Sequence, residues 1–143
     1  MVKMVDVSPK TETARVAVAE GTISLSPATV ERIRRNDLAK GDVASAAQLA
    51  GILAAKETPR LLPLCHPIPV ESTDVELRVL DDGVKVTATV RATAKTGVEM
   101  EALAAVTVAL LNVWDMTKMY EKDEDGQYPR TKISDVRVTL KKK

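Results

Sequence analysis

The only cysteine and the only histidine of this 143-residue chain stand side by side in Leu61-Leu62-Pro63-Leu64-Cys65-His66-Pro67. Prolines at 59, 63, 67 and 69 make the surrounding segment a stiff, non-helical loop. Two readings of it stand open. Leu64 and Cys65 could plug the core, leaving His66 as a surface ring. Alternatively, His66 donates a hydrogen bond to a phosphate or a ring nitrogen of a ligand. A Cys65 nucleophile is disfavoured, because neighbours in an extended loop point apart and His66 does not reach the thiol as its base. One Cys and one His also fall short of a nitrogen–sulfur zinc site, so no metal ligation is expected.

Three further strings carry groups able to do chemistry. Lys40-Gly41-Asp42 precedes a helix start, where free amides and the helix dipole attract anions. A lysine there is mildly unfavourable for the helix itself, which fits a ligand phosphate. Lys95-Thr96-Gly97-Val98-Glu99-Met100-Glu101 puts two acids in a first helical turn, where they complement the dipole. In a helix Glu99 and Glu101 point about 200° apart, so they share a pocket only if the backbone is still extended. Trp114-Asp115-Met116-Thr117-Lys118 sets Asp115 and Lys118 at i, i+3 on one helix face. That is either an exposed ion pair or an acid/base pair able to relay protons or hold an oxyanion. From Glu101 to Asp115 is fourteen residues, about 21 Å along a continuous helix. The two ends then serve one small ligand only if the site is shared between subunits.

The elements that must position these groups follow from periodicity. Residues 1–13 are a polar, loose arm. Arg15 to Glu20 and Thr22 to Leu25 alternate around Gly21 as a short hairpin. Ser26-Pro27 starts a helix to about Arg35, and Gly41-Asp42 a second one to about Lys56, with an alanine-rich stripe and a stop at Thr58-Pro59. Two alternating strands flank Asp81-Asp82-Gly83. A long helix then covers about Val98 to Tyr120, residues 121–132 form an acidic loop, and Val136, Val138 and Leu140 mark a last strand. The order β, α in two pieces, β, β, α, β predicts a single-domain α+β fold over residues 1–143, a ferredoxin-like antiparallel sheet with helices packed on one face.

Composition narrows the function classes. Apolar residues are 45% and charged residues 29%, which excludes a disordered chain. With no Phe, one Trp and two Tyr, no base-stacking platform is available. A net charge of +1 supplies no global basic field for nucleic acid or an anionic membrane, though it allows a local basic pocket for a small anion. The N-terminus lacks the apolar run of a signal peptide, and Ala102–Leu111 is about half the ~20 residues a membrane span needs. One Cys fits a reducing compartment. A cytoplasmic protein is expected.

Met4-Val5-Asp6-Val7-Ser8, Thr13-Ala14-Arg15, Lys40-Gly41-Asp42-Val43, Ala50-Gly51-Ile52, Leu62 to Pro67, Lys95 to Leu103 and Asp115 to Lys118, in this order, resemble the cyclic pyranopterin monophosphate synthase family, the molybdenum cofactor biosynthesis protein C family. The resemblance covers about residues 4 to 120. It implies rearrangement of a cyclised dihydroguanosine triphosphate, made from GTP, into cyclic pyranopterin monophosphate with release of pyrophosphate. It implies Asp115, Lys118 and Lys40 as catalytic residues. Leu64, Cys65, His66, Met100, Glu101, Glu99, Arg15 and Lys141 would contact substrate, with Arg15, Lys40, Lys118 and His66 gathered near the triphosphate. No cofactor is implied, and any Mg2+ would arrive with the triphosphate. The family's assembly implies a homohexamer, a trimer of dimers with sites between subunits. Thr117 stands where many members carry Cys, the loop 121–132 is longer and more acidic than in many relatives, and the chain ends at Lys143 without the family's glycine-rich tail. The reading from another class is a non-catalytic nucleotide sensor, which has no need of an Asp115–Lys118 pair.

Overall fold

Strict alternation makes β1 (Thr13–Ser24) a strand with one buried face. Ala17, Ala19 and Ile23 are fully buried, while Val16, Val18, Glu20 and Thr22 lie half-buried on the other side. The computed structural model describes residues 1–143. The chain continues through α1 (Pro27–Arg34), α2 (Val43–Leu61), β2 (Val70–Leu80), β3 (Gly83–Ala94), α3 (Glu99–Glu121) and β4 (Lys132–Lys142). The sheet order is β2-β3-β1-β4 with every neighbouring pair antiparallel. β3 therefore lies between β1 and β2, and β1 between β3 and β4, which interlocks two split β-α-β units. This is the expected ferredoxin-like α+β arrangement, with the first crossover made of two helices.

The hairpin expected around Gly21 is absent, since β1 passes straight through it and pairs with β3 without interruption. The glycine answers to packing and not to a turn. A Cβ there would lie 2.8 Å from Leu110 Cδ1, 2.9 Å from Val136 Cγ2 and 3.0 Å from Val106 Cγ1. α3 thus presses on the middle of β1 at a point where no side chain fits. The second close approach is at Gly51 of α2, whose missing Cβ leaves 3.0 Å to the Ala105 carbonyl of α3 and 3.0 Å to Val75 Cγ2. Buried Ala47, Ala54, Ala55, Ala102, Ala105 and Ala109 continue this small-residue contact between the helices.

Local chemistry sets most helix ends. Ser26 caps α1 by accepting from Thr29 N at 3.3 Å, with Pro27 in the first turn. Asp42 caps α2 by accepting from Ala44 N at 3.1 Å. α2 outruns its expected end at Lys56 and includes Pro59. The proline removes only its own amide, whereas Leu62 N still reaches the Thr58 carbonyl at 2.9 Å and the Thr58 hydroxyl returns to the Ala54 carbonyl at 2.9 Å. At its far end α3 is tied by Glu121, which accepts from Ser26 N, Ser26 Oγ, Thr29 Oγ1 and Thr131 Oγ1. Burial alone would push this carboxyl up, but the donors on Thr29, Thr131 and Ser26 outweigh it and hold the group below its ordinary range.

α3 is long and apolar enough by composition to cross a bilayer, yet half of that stretch is buried against the sheet and α2, as befits a core helix. Its outward face is different. Met100, Leu111 and Met119 of α3 and Leu49 and Leu53 of α2 are exposed, as are Val136, Val138 and Leu140 of β4.

The Gly21 contact makes a direct prediction. Gly21→Ala should destabilise the protein by about 1–3 kcal/mol, the usual cost of overpacking a filled core, read as a lower denaturation midpoint with unchanged cooperativity.

Candidate active site

At the C-terminal half of α3, one helical turn brings Lys118 Nζ to 3.1 Å from Asp115 Oδ1. The other oxygen of Asp115 is taken by Lys40, 75 positions away in sequence, whose Nζ lies at 2.9 Å from the loop between α1 and α2. Each carboxylate oxygen therefore has its own ammonium group. The donors, first Lys40 and then Lys118, hold the Asp115 carboxyl below the ordinary carboxylate range. All three side chains are about half exposed, so the cluster contributes little to folding. Chemically it is a fixed anion orienting two cationic donors toward solvent, able to pass a proton or support a developing oxyanion.

At the N-terminal end of α3 the electrostatics reverse. Glu101 is 1% exposed and neither carboxylate oxygen has a hydrogen-bond partner. Burial, then the nearby Glu99 charge, pushes its carboxyl upward. Glu99 folds back over Gly97, where a Cβ would collide with it, and meets Lys141 Nζ at 3.0 Å. The two glutamates are thus close although both are helical, because Glu99 curls toward β4 while Glu101 points inward. No side chain caps the first amides of α3. Arg15 is buried, with Nε donating to the Ala94 carbonyl at 3.2 Å and Nη2 to the Lys95 carbonyl at 3.1 Å.

The proline loop lies at the same end. Leu64 is 43% exposed, so it does not plug the core, and Cys65 and His66 are half-buried. Desolvation first, and the Glu101 charge second, push the Cys65 thiol up, which keeps it protonated and disfavours thiolate attack. His66 Nε2 sits 2.6 Å from the Val5 carbonyl, and Lys95 Nζ donates to the Ser8 carbonyl at 3.4 Å. The N-terminal arm has no regular structure but is tied at these two points. Ser8 N and Oγ in turn bond Asp6, a local turn written in the string Met4 to Ser8.

One chain therefore brings Lys40, Asp115 and Lys118 together, and separately Cys65, Glu99, Glu101 and Lys141, with Arg15, His66 and Met100 toward that second end. It does not gather Arg15, Lys40, Lys118 and His66 into one pocket, because α3 runs unbroken from Glu99 to Glu121 between the two groups. Thr117 is fully buried, its hydroxyl returned to the Val113 carbonyl at 2.7 Å, and takes no part in either cluster. Two contacts near Asp115 had no pattern in the sequence to announce them. Trp114 meets Tyr128 of the acidic loop edge-on, ring centroids 5.2 Å apart. Tyr120 accepts the Ala39 N–H at 2.8 Å.

Comparison with known proteins gives a consistent result. The MoaC family model matches residues 4–143. A relative from Aeropyrum pernix is 59% identical over 140 residues, covering 98% of this chain and 96% of its own length. One from Thermococcus kodakarensis is 56% identical over 142 residues, 99% of this chain and 91% of the relative. A third, from Sulfurisphaera tokodaii, is 55% identical over 139 residues, 97% of this chain and 92% of the relative. Each is named a probable cyclic pyranopterin monophosphate synthase.

Glu101 generates the prediction here. Its folded carboxyl is raised above the unfolded value, so the native state holds the proton longer. Stability is then full below the unfolded pKa of about 4.3 and falls as pH rises through the folded value. Glu101→Gln should remove that decline and stabilise the protein at neutral pH by on the order of 1 kcal/mol. Denaturation midpoints of both proteins between pH 4 and 8 check it; parallel pH profiles would contradict it.

Proposed function

The chain belongs to the MoaC family of cyclic pyranopterin monophosphate synthases, enzymes of molybdenum cofactor biosynthesis, and on that premise we propose that it converts a cyclised dihydroguanosine triphosphate into cyclic pyranopterin monophosphate with release of pyrophosphate, at sites that two chains share. Membership in an enzyme family removes the ground for a non-catalytic sensor. The observation that carries the reading is the Lys40–Asp115–Lys118 cluster, assembled from remote parts of the chain at little gain to stability.

In this reading a ribose hydroxyl attacks the α-phosphorus, the bond from that phosphorus to the bridging oxygen breaks, and pyrophosphate leaves. The hydroxyl proton departs to a base, and the ammonium groups of Lys40 and Lys118 meet the charge that builds on phosphate oxygens. Asp115 keeps both aimed. Glu101, with its carboxyl raised by burial, suits opening and reclosing of the purine-derived ring, where one group must give a proton and then recover it. Met100, Leu64, Cys65 and His66 line the ring's seat, and Arg15, Glu99 and Lys141 shape its wall. The substrate is the partner, no resident cofactor takes part, any Mg2+ comes with the triphosphate, and the reaction takes place in the cytoplasm.

Helix length supports the shared site. Glu101 and Asp115 lie about 21 Å apart along one helix. Midway between them is Val108, on a shallow apolar face with Met100, Leu103 and Leu111. A two-fold axis passing near Val108 sets Glu101 of one chain opposite Asp115 of the other, so each isologous pair makes two sites. The exposed apolar residues of β4 offer a second surface, in keeping with three such dimers in a hexamer.

Two experiments follow. Asp115→Asn and Lys118→Ala should each remain folded by circular dichroism and lose about 10²- to 10⁴-fold in single-turnover formation of the pterin and pyrophosphate. Near wild-type rates in either would return that residue to an ordinary surface ion pair. For the shared site, inactive Asp115→Asn is mixed with inactive Glu101→Gln under conditions of subunit exchange. Activity should reappear, because some interfaces then hold one intact site. Its absence despite exchange proven by mass spectrometry would place each site within a single chain.

A further inference from the structure

Lys40 sits on a short exposed loop that must hold one ammonium group within hydrogen-bonding distance of Asp115. An ion pair this exposed does not order a loop by itself. The loop leaves α1 through Asn36 at φ 53° and enters α2 through Gly41 at φ 103°. Between them only Leu38 is buried. What fixes it comes from α3. The phenolic oxygen of Tyr120 accepts the N–H of Ala39, the residue before Lys40, at 2.8 Å. The guanidinium of Arg32, on α1, lies 4.5 Å from the centre of the Tyr120 ring. The same guanidinium donates through Nη1 to both the carbonyl and the carboxylate of Asp37, each at 3.3 Å. A closed circuit results: Tyr120 ring, Arg32, Asp37, Ala39 and back to the Tyr120 oxygen.

Tyr120 lies on the helix that carries Asp115 and Lys118, two residues beyond Lys118. One side chain thereby references the Lys40 loop to the same rigid element as its two partners. We propose that Tyr120 is a positioning residue: its hydroxyl on Ala39 N and its ring under Arg32 set where Lys40 meets Asp115. The kinetic consequence rests on the catalytic reading of that cluster, whereas the geometric consequence does not.

Tyr120→Phe is the discriminating variant, since it keeps the ring and the Arg32 stack and removes only the acceptor. Lys40 from the loop and Lys118 from α3 are the charged groups facing Asp115. With Lys40 loosened, the Asp115 carboxyl, followed by carbon-13 NMR titration, should move up toward the ordinary aspartate range. In a Lys40→Met background the same Tyr120→Phe change should leave that titration where it was, because the group it positions is gone. In steady-state assays kcat should fall about 3- to 10-fold, the scale of one lost hydrogen bond, with KM nearly unchanged. An Asp115 midpoint that stays put in Tyr120→Phe, or shifts equally with and without Lys40, overturns the proposal, even if the thermal midpoint drops. If Asp115→Asn proves fully active, the catalytic reading falls, and the titration arm still decides whether Tyr120 places Lys40.

Discussion

Everything in this molecule is referred to one unbroken helix. α3 holds twenty-three residues without a kink, pressed onto β1 at a position where only glycine fits and onto α2 across a seam of alanine and glycine. Such contacts leave little room to slide, since interiors packed with small side chains lose close contacts over fractions of an ångström. The helix therefore acts as a ruler. It sets Glu101 and Asp115 at opposite ends of the fold and keeps them there. Both ends are pinned separately. At one, Glu99 curls to Lys141; at the other, Glu121 gathers Ser26, Thr29 and Thr131.

The two ends hold their carboxylates under opposite electrostatic conditions. Asp115 is wet, doubly paired with lysine and held ionised. Glu101 is dry, unpaired and pushed toward its neutral form. Two acids with divergent environments can take different proton roles at one pH. The cost of this arrangement is borne by the fold at the Glu101 end, where a buried polar group goes without a partner. A similar division runs through the arginines. Arg15 is spent on backbone carbonyls, whereas Arg32 organises the loop that presents Lys40.

The sequence made the element order, the capping residues Ser26 and Asp42 and the long helix legible, because each rests on local chemistry or on a period of two or 3.6 residues. It also made the strings around Cys65, Glu101 and Asp115 legible as candidate sites. Gly21 was misread as a turn, since glycine in an alternating run marks a hairpin and a close helix approach equally well. Pro59 was misread as a stop for lack of knowledge of which amides α2 has to spare. The Lys40–Asp115 pair and the Ala39–Tyr120 bond span 75 and 81 positions, and no periodicity encodes a contact of that range. Exposure was equally hidden: Val136, Val138 and Leu140 alternate as a core strand does, but β4 is an edge strand and its apolar residues remain partly in solvent.

The edge-on contact of Trp114 with Tyr128 has an optical consequence. Trp114 is the chain's only indole, and with no Phe and only one other Tyr the near-ultraviolet signal has few other sources. It neighbours Asp115 and touches the acidic loop, while the Glu101 end of the molecule holds no aromatic ring except the imidazole of His66. Emission excited at the red edge of the indole band thus reports from one end of α3 alone. Opening of the 122–131 segment away from the helix registers as a change in colour and intensity, and events at the proline loop of the same chain stay dark.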